Sequence, residues 1–268
     1  MSPITPRCYA QLVTKSSSLP TGDRTRALEG HVVIITGSSS GIGAAMARLL
    51  TEYGATVVVN SARSVEAGEA LARSLVGADY VQADITDITQ VRSMIDTVVQ
   101  RHGRIDALVN NAGTTQVIPH VDLEAATPEV WRQIFDVNVI GTWQLTVAAV
   151  PHLRASGRGQ VMNISSVAGE RPTGSSIPYA CSKAAVSHMT RLLANALGPD
   201  IRVNAVAPGF VDTPWTEDWG DVRAFVRSHT PLQRSATPDD VAQAAFGLMV
   251  STYVTGAVLV VDGGLQLR

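Results

Sequence analysis

Along most of this chain, short β-branched apolar runs alternate with longer stretches whose apolar residues recur every three or four positions. Val32 to Ile35 is apolar throughout, the pattern of a strand covered on both faces. Glycines at 37, 41 and 43 follow, and then a helical pattern from Met46 to Tyr53 that Gly54 stops. The alternation predicts further strands at 55–59, 80–83, 105–109, 160–164, 201–206 and 257–261. Helices are predicted at 66–75, 88–102, 130–149, 179–197 and 238–250, with Pro128 placed to open one and Pro151 to close it. The fold class is α/β: one Rossmann-like doubly wound domain, a central parallel seven-stranded sheet with helices on both faces. The one irregular stretch of any length is 207–230.

At 268 residues the chain is long enough for one such core, and at 5% aromatic that core is aliphatic. A formal charge of -2 gives no electrostatic reason to expect nucleic acid or an anionic membrane as partner. No apolar run approaches the ~20 residues that span a bilayer. Cys8 and Cys181 form no disulfide or zinc pattern, which fits a reduced, cytoplasmic setting, and the histidines show no pair at i,i+4, so no metal site is expected. Residues 1–27, basic, Ser-containing and acid-poor, read as a flexible extension before a domain at 28–268. An organellar targeting segment is the alternative reading, while a secretory signal lacks its apolar core.

A strand, a Gly-rich turn and a helix in that order bring backbone and a helix N-terminus close to a diphosphate. Where NAD-selective folds place an acid at the end of the second strand, this chain has Val59-Asn60-Ser61-Ala62-Arg63-Ser64. Ser61, Arg63 and Ser38 suit a ribose 2′-phosphate, so NADP(H) is expected over NAD(H). Asp84 either accepts from the adenine amino group or caps the helix near Ile88.

The chemistry is sought at the ends of later strands. Val161 to Ser166 ends in two hydroxyls, and Tyr179 and Lys183 lie four apart on one helical face. An ammonium ~4 Å from a phenol, at an effective dielectric of ~20, favours the phenolate by ~4 kcal/mol, about three pKa units, with desolvation opposing it. That would make Tyr179 a proton donor or acceptor near neutrality, with Ser165 holding the substrate oxygen. Cys181 lies about 200° around the helix from Tyr179 and reads as a buried small residue or an interface contact.

From about residue 28 onward the chain resembles a classical short-chain dehydrogenase/reductase. Thr36 to Gly43, with Ser40 and Ile42 inside it, matches the TGxxxGIG cofactor motif. Asn110-Asn111-Ala112-Gly113 matches NNAG, and Ser165 with Tyr179-x-x-x-Lys183 matches the catalytic serine and YxxxK, including the 13 residues between. Asn138 falls at the fourth catalytic position, and Pro208-Gly209 and Thr213 at the nicotinamide contacts. The resemblance implies hydride transfer between nicotinamide and a carbonyl or secondary alcohol. Tyr179 and Ser165 would act on the substrate oxygen, Lys183 would bind the nicotinamide ribose, and the Asn138 carbonyl would hold a relay water. Asn111 and Gly113 would shape the adenosine side.

In this family the segment after the sixth strand closes over the substrate, here at about 210–230. Trp215 and Trp219 lie in it, suited to an apolar or ring-shaped substrate, with Val167 and Glu170 or Arg171 on another wall. Three functions stay in view: a reductase of free carbonyls, a 3-oxoacyl-acyl-carrier-protein reductase, and a nucleotide-binding sensor without turnover. The carrier reading needs basic surface near the lid, for which Arg223, Arg227 and Arg234 are a partial case. The resemblance also implies a homotetramer, or a homodimer, with Leu265 and Leu267 near its interface.

Overall fold

A computed structural model describes residues 26–267, so the expectations for the N-terminal extension lie outside the described residues except at its last two positions. Seven parallel strands form one sheet: β1 (Val32–Ile35), β2 (Thr56–Ser61), β3 (Asp79–Gln82), β4 (Ala107–Asn110), β5 (Gly159–Ile164), β6 (Ile201–Pro208) and β7 (Val258–Val261). Their order is β3-β2-β1-β4-β5-β6-β7. The chain therefore winds outward from β1 in one direction, then crosses to β4 and winds in the other. β1 pairs with both β2 and β4, so the direction reverses there, and crevices for ligands open at such a point beyond the carboxyl ends of the strands.

Side-chain alternation sends Val33 and Ile35 to one face, with Met46 and Leu50 of α1 (Gly41–Glu52) and Val241 and Ala245 of α8 (Pro238–Val250). Val32 and Ile34 go to the other. There they meet Val91 and Ile95 of α3 (Ile88–His102), Leu145 and Leu153 of α5 (Thr142–Ala155), and Leu193 of α6 (Ile177–Leu197). The remaining helices are α2 (Val65–Ser74), α4 (Pro128–Phe135) and α7 (Gly220–His229).

Local chemistry sets the ends. Asp87 accepts from the N–H groups of Thr89 and Gln90 and so caps α3; Asp84, expected as one possible cap, instead binds the Thr86 backbone and hydroxyl. Pro151 does not end α5, which runs on to Ala155 because fully buried Leu153 holds its last turn against the sheet. The stretch predicted irregular at 207–230 contains α7, in which Val222 and Phe225 are exposed and Val226 is buried, an apolar pattern only one turn long. Cys181 is exposed, which removes the reading as a buried small residue.

Candidate active site

A cleft of about 1280 Å³ opens above the carboxyl ends of the strands, its floor at the β1/β4 reversal. The Gly-rich turn is pressed against the end of β4. A Cβ on Gly37 would stand 2.8 Å from the Ala112 Cα, and one on Gly43 would stand 2.6 Å from Asn111 Nδ2. Asn111 locks this contact, donating from Nδ2 to the Thr36 and Gly37 carbonyls at 2.8 and 2.9 Å. Ser40 stands at the N-cap of α1 without a side-chain hydrogen bond to the helix, and no acid occupies the first turn. The unspent N–H groups of that terminus, with Ser40, Gly41 and Ile42 on the cleft wall, therefore suit an anion such as a diphosphate.

At the adenosine end, the ends of β2 and β3 bring Ser61, Arg63 and Asp84 to the cleft. Arg63 is exposed and forms no ion pair among the described residues. The other two hydroxyls expected there are committed elsewhere. Ser61 Oγ donates to the Ser64 carbonyl and lies 2.9 Å from the Tyr80 hydroxyl. Ser38 is wholly buried, donating to the Ile35 carbonyl and accepting from the Asn60 N–H, so it ties β1 to β2 instead of facing a ligand. A glycine cradle and an open helix terminus together fit a dinucleotide.

The reacting groups come from β5 and α6. Ser176 caps α6 by accepting from the Tyr179 N–H, which places Tyr179 in the first turn and Lys183 one turn on. Lys183 Nζ donates to the Ile164 carbonyl at 2.8 Å and lies 5.8 Å from the centre of the Tyr179 ring. Only 5% of the lysine is exposed, and burial lowers its pKa to about 8. Burial likewise pushes the Tyr179 phenol above its ordinary value, with hydrogen bonding from Ser166 pulling the other way. Burial therefore works against the acidifying effect expected of the ammonium.

The serine assignment changes as well. Ser165 Oγ turns into the protein, donating to the Lys183 carbonyl at 3.0 Å and lying 2.7 Å from Ser187 Oγ. The hydroxyl that acts on the phenol is Ser166. Both residues line the cleft, but the Ser165 hydroxyl is spent on α6 while that of Ser166 meets the phenol.

Asn138 lies in a π-helical segment, Asp136–Gly141, between α4 and α5. Its side chain bonds the Thr114 N–H, the Thr114 carbonyl and Ser182 Oγ, joining the segment after β4 to α6. Gly113 fits beneath, where a Cβ would stand 3.3 Å from Asn138 Oδ1 and 3.5 Å from Lys183 Nζ. Pro208, Gly209 and Thr213 line the cleft beyond β6.

On the substrate side, Val167, Trp215 and Trp219 reach the cleft. Trp215 stands edge-on to Tyr179, ring centres 6.4 Å apart, and Trp219 lies 6.4 Å from Phe210. Phe225 of α7 and Ile118 and His120 from the segment after β4 also line it; nothing in their sequence context singled them out. Glu170 and Arg171 do not line the cleft: Glu170 faces Arg191 at 3.8 Å and Arg171 donates to the Leu265 carbonyl. Leu265 lines the cleft, while Leu267 is exposed.

A parallel sheet reversing at a glycine cradle, with a tyrosine and a lysine one helical turn apart above it, defines a dinucleotide-dependent oxidoreductase scaffold. A family profile described as enoyl-(acyl carrier protein) reductase matches residues 37–266. The chain is 56% identical over 246 residues to "Granaticin polyketide synthase putative ketoacyl reductase 2" of Streptomyces violaceoruber, covering 91% of this chain and 99% of that protein. It is 40% identical over 247 residues to a 3-oxoacyl-acyl-carrier-protein reductase of Thermotoga maritima, covering 90% and 99%. A solved structure described as a "putative short-chain dehydrogenase/reductase" of Burkholderia xenovorans superposes with a TM-score of 0.82 at 40% identity, covering 89% of this chain and 98% of that one. This chain belongs to the short-chain dehydrogenase/reductase family, and its general activity is nicotinamide-dependent oxidation or reduction of carbonyl and alcohol substrates. No helix among the described residues is long and apolar enough to cross a membrane.

Proposed function

We propose that this protein is a ketoreductase that uses NADPH in preference to NADH and takes a neutral, ring-shaped or otherwise apolar carbonyl substrate. The observation that carries the reading is the convergence of the Tyr179 phenol, the Ser166 hydroxyl and the buried Lys183 in one cleft with the glycine cradle. Arg63, unpaired and with no acid beside it in Asn60–Ser64, supports the preference for a 2′-phosphate. The bound nicotinamide supplies the hydride. Tyr179 hands its proton to the substrate oxygen as negative charge grows there, and Ser166 donates a hydrogen bond to the same atom. Lys183, set on the Ile164 carbonyl, stabilises the phenolate left behind and holds the ribose hydroxyls. The Asn138 carbonyl, which accepts from Thr142 Oγ1 at 2.9 Å, is the relay-water position that the family resemblance implies.

A second reading, reduction of a carrier-bound 3-oxoacyl group, is supported by the names of the two relatives just described. The charges around the cleft mouth favour the free substrate. Arg223 is bound to Asp212 at 2.7 Å and Arg234 to Asp240 at 2.6 Å, while Asp218 and Asp221 line the opening. An acidic carrier would meet those carboxylates with Arg227 alone unpaired among the three arginines considered. The sensor reading has no support from a site with its acid, lysine and serine in place. A homo-oligomer, tetramer or dimer, in a cytoplasmic setting completes the proposal; the exposed row Ile140, Trp143 and Val147 supports the association.

The test is consumption of NADPH and NADH with a panel of free bicyclic ketones and a carrier-linked 3-oxoacyl thioester. The proposal expects turnover of the free ketones with a lower KM for NADPH. Turnover of the thioester alone would establish the second reading, and cofactor binding without turnover of any substrate would refute both.

A further inference from the structure

Three consecutive residues at the end of β5 touch the Tyr179/Lys183 pair at three different places. The Ile164 carbonyl accepts from Lys183 Nζ, Ser165 Oγ donates to the Lys183 carbonyl, and Ser166 acts on the Tyr179 phenol. Ser165 is itself anchored on both sides. Its N–H donates to the Val206 carbonyl of β6 at 2.8 Å, and its hydroxyl meets Ser187 Oγ, one helical turn beyond Lys183. The turn that follows presses on the same spot. A Cβ on Gly169 would stand 2.6 Å from both the Ala184 nitrogen and the Lys183 carbonyl carbon. The backbone of α6 is therefore gripped at Lys183 from two directions.

From this arrangement we infer that Ser165 is a positioning residue: through the Lys183 carbonyl it sets where the Lys183 ammonium stands relative to the Tyr179 phenol, and Ser187 holds the Ser165 hydroxyl in place. The role attributed to the ammonium rests on the ketoreductase reading above. A helical carbonyl spends one lone pair on the N–H four residues on and keeps a second for a side chain. A bond from the strand to that second lone pair stops α6 from sliding along β5. The lysine has a flexible four-carbon stem, so its ammonium is placed by the Ile164 carbonyl at one end and by where its own backbone stands at the other. Among the described residues Tyr179 is the titratable side chain beside it, and Gly113 and Asn138 on the facing elements are neutral. No charged side chain contributes to its shift, so dipoles and this grip place the charge. A displacement of about 1 Å at such a group is enough to cost up to about a hundredfold in rate.

Ser165→Ala, Ser187→Ala and the double variant test this. Ser165→Ala is expected to lower kcat about tenfold with the NADPH KM changed less than about twofold. It should also move the titration midpoint of Lys183, read by NMR on lysine-labelled protein, by about half a pH unit or more. Ser187→Ala keeps the Ser165–Lys183 bond and should change kcat less than about threefold. In the double variant no hydroxyl is left orphaned, so the melting temperature lost in either single variant returns while the kcat loss stays. A melting temperature that falls in Ser165→Ala with kcat and the lysine midpoint at wild-type values would overturn the proposal. So would a double variant that recovers kcat together with stability. If the wild-type protein binds NADPH but reduces no ketone, the ketoreductase reading fails by itself. The lysine midpoint in Ser165→Ala then still decides the positioning claim.

Discussion

The two sides of the cleft are built differently. On the cofactor side, polar groups are fastened to backbone: Asn111 to the Gly-rich turn, Ser38 between β1 and β2, Lys183 to Ile164 and Asn138 to Thr114. On the substrate side the wall is made of rings and carboxylates, with Trp215 49% exposed, Phe225 52% exposed, and Asp218 and Asp221 at the opening. Reacting atoms need fixed geometry, which hydrogen bonds to a packed sheet supply. A substrate wall needs area and the exclusion of water, which large rings supply without a fixed partner. Substitutions on the first side should therefore cost rate and those on the second should cost selectivity.

The largest effect is expected from Tyr179→Phe, which keeps the ring against Trp215 and removes the proton. Reductive kcat should fall by about a thousandfold or more, with cofactor affinity by fluorescence titration near that of the wild type. Ser166→Ala should lower kcat by about a hundredfold, against the tenfold expected for Ser165→Ala; the reverse order in steady-state kinetics would return the substrate-facing role to Ser165.

The pH dependence follows from Lys183. Reductive kcat should decline as pH rises through about 8, where the buried ammonium loses its proton. Stability should move the opposite way. The folded pKa of about 8 lies below the ordinary value of 10.5, so in that window the unfolded chain binds the proton and the folded one does not. Unfolding free energy from this group therefore rises between those values, by up to about 3 kcal/mol. Denaturant titrations at a series of pH values, compared with Lys183→Met, would measure it. Above about pH 10 the raised phenol of Tyr179 works against this gain, because the folded state then holds the extra proton.

Smaller effects belong to the periphery. Arg63→Ala should raise the NADPH KM about tenfold and leave the NADH KM within about twofold, since only the former loses a charge partner. Trp215→Ala should change kcat/KM by a few-fold and differently for each ketone in a panel; a uniform loss would place Trp215 with the reacting groups.

The same contrast decides what could be read from the chain alone. The cofactor side was legible because its features are local in sequence: a buried strand, three glycines and a helix, then Tyr179 and Lys183 a turn apart. All seven strands were legible for the same reason, their apolar runs being short and bounded by turns. What escaped depends on orientation or on tertiary contact. Ser165 and Ser166 are chemically the same, and only the partners that the fold gives each hydroxyl separate them. Asp84 and Asp87 both suit a helix cap, and one residue's difference in where α3 starts decided between them. Helix α7 escaped because its apolar pattern, Val222, Phe225 and Val226, is only one turn long. The upward direction of the Tyr179 shift escaped because burial enters only through packing around the pair.

The claim at the centre of this account is that burial on the Ile164 carbonyl, not pairing with a charge, sets the state of Lys183. The sequence contains only two lysines, Lys15 and Lys183, so a lysine-labelled sample gives two side-chain resonances, and Lys183→Met assigns them. Following the Lys183 resonance by NMR from neutral to alkaline pH tests the claim directly. The account predicts a midpoint of about 8, as burial dictates; a midpoint near 10.5, the ordinary value, would contradict it.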